Sequence, residues 1–404
     1  LQCIVLVYVD DLLVWATAKF TEWINTMLES RFGKLKRSKP PFTFIGVVHD
    51  LVTKDHLHLH QRPYLDKLRP IEISKARLRN PTSELTDSEL FEFRSLLCSL
   101  LWLTLTREDL MADVVMLQQH MQSATINELK SCNRILQKAK QHSQLNGLHF
   151  HKITPPFRLI AIGDCGHVTG TSLYAQEGKL VRLMHDPGNI RQLPEWTNTT
   201  QISTEWDGYA HSMYGTSRKA TRVSHSTSHG EALTQLGTIQ IAQLIANRLT
   251  EPFYRMIRKQ PILRPLDALS MQYKNQVLIP IDSLSDCMDV WELINSKKSL
   301  ANDKTQRLVI LGLREYKTLG IVRAFCHCPT RLMVADGLTK IGQFLQLMRL
   351  VTTGKLHFKE MSKSTTTTTS TSTVRSTSLS SSSQPQFFRI ATSCKTQLQD
   401  RVVE

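Results

Sequence analysis

The sequence predicts a mixed α/β fold with more than one domain, and three observations predict it. Short apolar runs typical of strands alternate with segments whose apolar residues recur at helical spacing. Hydrophobic residues make up 41% of the chain, which is enough to bury sizeable cores. A length of 404 residues fits two or three domains of ordinary size.

Charge and cysteine usage narrow the class of protein. The formal net charge is +15, which favours polyanionic partners, and nucleic acid is the commonest of these. The 8 cysteines are scattered without a paired framework, which fits a reducing compartment. No apolar run reaches the roughly 18 residues that a membrane helix requires, so we expect no membrane contact.

Composition and periodicity divide the chain into four predicted segments. Residues 1–80 combine a hairpin, a helix and further strands, and residues 81–155 are helical, with a capping box at residues 86–89. Residues 156–350 mix strands and helices, whereas the Ser/Thr-rich residues 351–404 are predicted to be disordered. Because the chain starts at Leu1 and its first motif follows at once, we expect a fragment of a longer precursor.

A pair of adjacent carboxylates stands near the start. Asp10 and Asp11 follow Tyr8 on a predicted tight turn between two apolar strands. Like charges side by side repel, so a cation is expected to compensate them, and Mg²⁺ prefers such oxygen ligands. The alternative is a turn that merely faces solvent.

Four carboxylates after residue 157 form the second candidate site. Asp164 ends a predicted strand, Glu231 lies in the first turn of a helix, Asp282 ends a later strand predicted at residues 277–281, and Asp336 opens the last helix. Two-metal phosphodiester hydrolysis requires several carboxylates that converge on one spot. The sequence therefore predicts a metal-dependent nuclease centre built from these residues.

Each of these carboxylates also has a purely structural interpretation. Glu231 would complete a capping box with Ser228, Asp336 would be favoured by the helix dipole, and Asp164 would be a turn residue. Asp286 and Asp289 compete with Asp282 for the third position. The polar residues 185–210 are predicted to be an inserted loop.

Histidines alternate with leucines at residues 56–60. This period-two pattern predicts a half-buried hairpin strand with His56, His58 and His60 facing solvent. We favour that interpretation over a metal site.

Several motifs resemble those of one family. Tyr8-Val9-Asp10-Asp11 resembles the Tyr-x-Asp-Asp motif of reverse transcriptases, and residues 42–47, 61–64 and 94–109 resemble downstream motifs of the copia type. Phe93, Cys98 and Glu108 replace the Tyr, Gly and Pro of the last motif. Residues 163–166, 217–233, 282–285 and 329–340 resemble the RNase H domain of the same family. In this order, they resemble the C-terminal part of a copia-type LTR retrotransposon Pol polyprotein.

The resemblance implies a fold and an activity for each segment. Residues 1–80 would be the C-terminal part of a reverse transcriptase palm, and residues 81–155 its helical thumb or connection. Residues 156–350 would be an RNase H-like domain, a five-stranded mixed sheet with flanking helices, that hydrolyses the RNA strand of RNA–DNA hybrids. The four carboxylates would hold two Mg²⁺ ions, with Mn²⁺ as a substitute.

The same resemblance implies partners for the chain. Asp10 and Asp11 would hold the polymerase metals, but the third polymerase Asp would lie upstream of Leu1. Template–primer and RNA–DNA hybrid would contact Tyr8, Lys219 and Lys340, and the upstream half of Pol would be a protein partner. The expected location is intracellular, in cytoplasmic virus-like particles or in the nucleus. The rival hypothesis is a decayed, non-catalytic remnant that only binds nucleic acid.

Overall fold

The computed structural model describes most of the chain. The described residues are 3–141, 143–166, 174–188, 206–224, 226–258, 279–296, 300, 303–342, 344–358 and 386–391, with only the backbone described for residues 251–258 and 386. The chain divides into two compact units, residues 1–52 with 360–404, and residues 53–359. The predicted boundaries after residues 80 and 155 both fall inside the second unit.

The first unit is built on the predicted N-terminal hairpin. Its elements are β1 (Cys3–Tyr8), β2 (Asp11–Ala16), α1 (Ala18–Phe32), β3 (Lys36–Ser38), β4 (Phe42–Phe44) and β5 (Val47–Thr53). The residues predicted as one strand from 42 to 48 form two strands, because Ile45 and Gly46 both adopt positive φ angles and turn the chain between β4 and β5.

A strand from the far end of the sequence completes the sheet of the first unit. This strand, β14 (Gln386–Ala391), pairs antiparallel with both β2 and β3. Phe388 and Ile390 are buried with Val14 and Ala16. These residues fall within the tail predicted to be disordered, so that prediction is wrong for residues 386–391. It is also wrong for residues 351–358, which contain the end of a helix and a short strand. The Ser/Thr run at 361–384 lies outside the described residues.

The second unit begins with a strand and a helical segment. Its elements up to residue 151 are β6 (His56–His60), α2 (Arg62–Leu65), α3 (Lys75–Leu78), α4 (Asp87–Leu103), α5 (Met111–Gln118), α6 (Ile126–Lys140) and β7 (Leu148–His151). The predicted capping box is present, since Thr86 and Glu89 cap α4 reciprocally. The strand predicted at 56–60 is also present, but His58 and His60 are buried rather than solvent-facing.

One mixed sheet organises the rest of the second unit. Its elements are β8 (Phe157–Gly166), β9 (Gln176–His185), β10 (Gly208–Lys219), α7 (Thr227–Arg258), β11 (Ile281–Ser285), α8 (Met288–Asn295), α9 (Lys304–Thr318), β12 (Val322–His327), α10 (Asp336–Thr339), α11 (Leu345–Thr353) and β13 (Lys355–Leu356). The strand order is β12-β11-β8-β9-β10-β13, with β11 parallel to both β8 and β12. The mixed α/β class is confirmed, and the sheet has a short sixth strand.

Apolar side chains cover both faces of this sheet. Successive strand residues point to opposite faces, and along β8 the residues Leu159 and Ala161 join one core while Ile160 and Ile162 join the other. α7 and α9 pack on the first face, and α10 and α11 on the second. A sheet buried on both faces explains why β8 is a continuous apolar run.

A buried ion pair fixes the helical segment against the sheet. Arg182 on β9 is fully buried and donates to the Glu108 carboxylate, which also accepts a 2.7 Å hydrogen bond from the Ser212 hydroxyl. Glu108 stands where the resembled motif has Pro, so this departure supplies the counter-charge for Arg182. Within the described residues, no helix has the length and hydropathy needed to cross a membrane.

Candidate metal centre

The candidate centre lies where two parallel strands end. β8 and β11 pair with Asp282 beside Ile160 and Leu284 beside Ile162. Asp164 lies two residues after Ile162 in β8, and Asp286 lies two residues after Leu284, immediately past the end of β11. Parallel strands deliver the side chains at their carboxyl ends to one edge of a sheet, and this edge receives two carboxylates.

A third carboxylate reaches this edge from a helix. Ligand oxygens of Asp164, Glu231 and Asp286 all lie within 4.8 Å of one another. Glu231 accepts a 3.1 Å hydrogen bond from the Cys165 backbone N–H through Oε1. Its Oε2 is buried and has no hydrogen-bond partner among the residues that the structure describes.

The start of α7 is shaped for this approach. Ser226 accepts a 3.1 Å hydrogen bond from the His229 N–H and so caps the helix; Ser228 does not form the predicted capping box with Glu231. A Cβ at Gly230 would lie 2.7 Å from Cys165 Sγ, so only glycine lets the first turn of α7 lie this close to β8. Glu231 is therefore placed by packing rather than by capping.

Asp336 completes the cluster from the opposite side. It is the first residue of α10, and its carboxylate lies close enough to Asp164 to raise the pKa of that residue. Thr339, on the same short helix, donates its hydroxyl hydrogen to Asp164 Oδ2. Gly178 pairs with Asp164 across the sheet, and a Cβ there would lie 2.8 Å from Thr339 Cγ2. We name Asp164, Glu231, Asp286 and Asp336 the acidic group.

The carboxylates of the acidic group are close together and largely shielded from solvent. Without a cation, their mutual repulsion is therefore unfavourable. Burial raises the pKa of Asp164, and the neighbouring Asp336 and Asp286 raise it further, against the opposing Thr339 hydrogen bond. Burial, Asp164 and Asp286 likewise raise the pKa of Glu231. The pKa of Asp336 is also raised, chiefly by burial, although Lys340 opposes the shift.

The group fits a hard divalent cation. Its donors are carboxylate oxygens, which Mg²⁺ and Mn²⁺ prefer. The buried Glu231 Oε2, without a hydrogen-bond partner in the described part of the chain, is the kind of atom that a bound ion would satisfy. A cation would also offset the repulsion that helps to raise the pKa values of Asp164, Glu231 and Asp336.

The structure places Asp282 away from this centre. Asp282 is fully buried and accepts hydrogen bonds from Arg323, at 2.9 and 2.6 Å, and from Arg158 at 3.4 Å. It lies four residues before Asp286, which is about 13 Å back along an extended strand. The predicted strand ended at residue 281, whereas β11 runs from Ile281 to Ser285, so the wrong strand end led to the wrong carboxylate.

The N-terminal carboxylates do not form a comparable cluster. Asp11 forms a bidentate ion pair with Arg389 of β14, at 2.8 and 2.7 Å. Asp10 and Tyr8 are exposed around a turn in which Val9 has a positive φ of 53°. Among the described residues, no group of three potential metal ligands includes Asp10 or Asp11.

The predicted nucleic-acid contacts lie at different distances from the acidic group. Lys340 Nζ donates to Asp336 Oδ1 at 2.5 Å. Burial alone would lower the pKa of Lys340, but Asp336 and Asp164 outweigh burial and raise it. Lys219 is exposed at the end of β10, with its ammonium 5.0 Å from the centre of the Tyr174 ring.

Some residues around the centre were not singled out from the sequence. Thr339 and the backbone N–H of Cys165 hold two of the carboxylates. No spacing rule points to these contacts. The misplaced strand end had a visible signal, however, because Pro280 lacks an N–H and is typical of the start of a strand rather than its interior.

Comparisons with known proteins add little to these observations. No protein-family model matches the chain, and no curated protein sequence matches it. Among solved structures, LC11-RNase H1, isolated from compost by a metagenomic approach, is similar at 12% sequence identity, with 45% of this chain and 91% of that chain covered and a TM-score of 0.26. This TM-score is too low to establish a shared fold.

Proposed function

We propose that this protein is an RNase H-type endoribonuclease, which hydrolyses the RNA strand of RNA–DNA hybrids. The observation that carries the proposal is the convergence of ligand oxygens of Asp164, Glu231 and Asp286 within 4.8 Å, with Asp336 close enough to Asp164 to raise its pKa. The acidic group would hold Mg²⁺, or Mn²⁺ in its place. Bound ions would lower the pKa of a water molecule and stabilise the leaving 3′ oxygen.

The residues of the chain would position these ions and the substrate backbone. Cys165 N–H holds Glu231 Oε1, which leaves Oε2 for an ion. Thr339 orients Asp164 by donating to one of its oxygens. Lys340, beside Asp336, and the exposed Lys219 supply positive charge that a phosphate backbone would contact. The net charge of +15 supports a polyanionic substrate.

The wider proposal is that the chain is part of a copia-type retrotransposon Pol polyprotein. The motifs at residues 8–11, 94–109, 217–233 and 329–340 support it. In that setting, residues 1–80 would belong to the palm of an RNA-directed DNA polymerase, residues 81–155 to its thumb or connection, and residues 156–350 to the RNase H domain. Asp10 and Asp11 would contribute to a polymerase site only together with an upstream Asp.

The direct test is cleavage of a labelled RNA–DNA hybrid by the full chain in Mg²⁺, in Mn²⁺ and in EDTA. We expect metal-dependent cuts in the RNA strand, and no cuts in the DNA strand or in duplex DNA. Asp164→Asn keeps the size of the side chain but removes its charge, so it should abolish cleavage. Equal background cleavage by the wild type and Asp164→Asn would contradict the proposal.

The same assay separates the enzyme from a non-catalytic remnant. A remnant would bind the hybrid, as measured by fluorescence anisotropy, with an affinity that falls as salt rises. It would leave the RNA intact in every metal. Binding without cleavage would therefore replace the nuclease assignment with that of a nucleic-acid-binding protein.

A further inference from the structure

Five histidines share one face of a strand pair in the second unit. β6 and β7 are antiparallel, with His56 opposite His151 and His58 opposite His149. Because alternate strand residues point to the same face, His60 joins these four. Their rings form a stack in which centroids lie 3.8 Å apart for His56 and His151, and 4.2 Å apart for His58 and His149.

Three of these rings bring nitrogen atoms together. His56 Nε2 lies 2.9 Å from His149 Nδ1, and ring nitrogens of His56, His149 and His151 all lie within 4.8 Å of one another. We propose that these three residues, the histidine group, bind one divalent transition metal ion of the Zn²⁺ class. This proposal is independent of the nuclease activity.

Outer hydrogen bonds prepare two of the rings as ligands. His149 Nε2 lies 2.8 Å from the backbone oxygen of Leu145, and His151 Nε2 lies 3.2 Å from that of Thr353. A ring nitrogen facing a carbonyl oxygen must carry the hydrogen, which leaves the lone pair on Nδ1. Histidine ligands in metal sites are oriented by this kind of contact.

The rings are also in the protonation state that binds metals. Burial, followed by the neighbouring His56 and His149, lowers the pKa of His151 to about 4. Burial also lowers the pKa of His149. Both rings are therefore neutral at pH 7, and neutral imidazole is the ligand form.

Metal binding requires one adjustment of the stack. The rings of His56 and His151 are only 14° from parallel, and a nitrogen lone pair lies in the plane of its ring, so one ring must turn before both can point at one ion. The His151 ring is stacked between His56 and Tyr209, whose ring centre lies 4.0 Å away, so the partly exposed His56 is the ring that would turn about χ2. Three protein ligands would leave a fourth position for water.

The two groups of the second unit would select different ions. The histidine group offers imidazole nitrogens, which suit Zn²⁺, Ni²⁺ and Cu²⁺, whereas the acidic group offers carboxylate oxygens, which suit Mg²⁺. Millimolar Mg²⁺ should therefore occupy the acidic group without blocking the histidine group. This difference makes the histidine group separately measurable.

The test is Zn²⁺ binding by the untagged full chain in millimolar Mg²⁺, measured by competition with a chromophoric chelator. We expect one Zn²⁺ per chain, with the affinity lowered at least about 100-fold in His151→Gln. His120→Gln removes an exposed histidine outside the group and should bind as the wild type does. Co²⁺ should give visible absorption bands of a nitrogen-ligated ion in the wild type and lose them in His151→Gln.

Circular dichroism and thermal unfolding check that each variant is folded. Should His151→Gln fail to fold, His56→Gln, at the partly exposed edge of the stack, replaces it, with the same expected loss. Equal Zn²⁺ affinity in the wild type and the folded variant would overturn the proposal. If the wild-type protein removes no more Zn²⁺ from the chelator than a protein-free control does, the proposal is overturned as well. The stack would then be purely structural.

Discussion

The two ends of the central sheet both carry buried acidic side chains, but they balance charge differently. Where β8 and β11 begin, Asp282 and Asp186 are matched by Arg323 and Arg158, with Arg323 bridging both acids at distances of 2.6 to 2.9 Å. Where the same strands end, the acidic group gathers four carboxylates, and the ammonium of Lys340 contacts one of them, Asp336.

The difference separates a structural site from a candidate catalytic one. A buried carboxylate that is paired by arginines already has its compensation, so it needs no ion. Asp164 and Glu231 are buried beside other carboxylates, and their pKa values are raised. Groups with such perturbed pKa values are typical of functional sites. Asp282 is fully buried but is compensated by arginines, whereas the partly buried Asp286 lies among other carboxylates.

The largest expected effect follows from removing the charge of Asp286, the carboxylate just after β11. Asp286→Asn removes a charge from the acidic group and should lower the rate of hybrid cleavage about 1000-fold, which corresponds to about 4 kcal/mol of lost transition-state stabilisation. Asp289→Asn, three residues away and exposed, is the matched control and should cleave normally. Single-turnover rates in saturating Mg²⁺ measure both; normal rates for Asp286→Asn would remove it from the site.

At the end of the sheet where arginines pair with Asp282, a substitution should change the stability of the fold rather than the rate of cleavage. Asp282→Asn leaves the buried Arg158 without its ion-pair partner and Arg323 with Asp186 alone, and breaking a buried pair in this way costs about 3–5 kcal/mol. Glu29→Gln breaks the exposed Glu29–Arg37 pair and should cost no more than about 1 kcal/mol. Urea unfolding compares the two variants. Similar losses for both would show that the arginines do not depend on Asp282.

At the opposite end of the sheet, the acidic group should make the free energy of unfolding depend on both pH and bound metal. The raised pKa values of Asp164 and Glu231 mean that the folded protein binds more protons than the unfolded chain does. Their stabilising contribution is therefore full below about pH 4, the ordinary carboxylate range, and is lost as pH rises through the raised values.

Thermal unfolding in EDTA and in Mg²⁺ across this pH range measures the effect. In EDTA, we expect stability from these groups to fall as pH rises. Mg²⁺ should restore it increasingly at higher pH, by about 2.7 kcal/mol at a concentration 100 times its Kd. A Mg²⁺ effect that is independent of pH would indicate binding away from the acidic group.

The sequence predicted elements and residue types better than strand register. Asp164, Glu231 and Asp336 were predicted at element ends, and the structure brings them together, because strand ends and helix starts follow from local apolar periodicity. Asp286 depended on where β11 ends, and a shift of four residues moved the choice to Asp282. The strand β14 was missed because its pairing partners, β2 and β3, lie more than 300 residues away in sequence.

The smallest effect tests how the acidic group is held. Thr339→Val removes the hydroxyl that donates to Asp164 while keeping the shape of the side chain. Because that hydrogen bond lowers the pKa of Asp164, its loss should raise this pKa further and shift the pH dependence of Mg²⁺ binding upward, at a cost of about 1 kcal/mol.

Thr339→Ser keeps the hydroxyl and should leave the pH dependence of Mg²⁺ binding near that of the wild type. Isothermal titration with Mg²⁺ at several pH values distinguishes the two variants. An unchanged profile in Thr339→Val would mean that Asp336, rather than Thr339, orients Asp164 toward the ion. The difference between the two sheet ends would then come from the carboxylates alone, since the hydroxyl of Thr339 would contribute nothing measurable to Mg²⁺ binding.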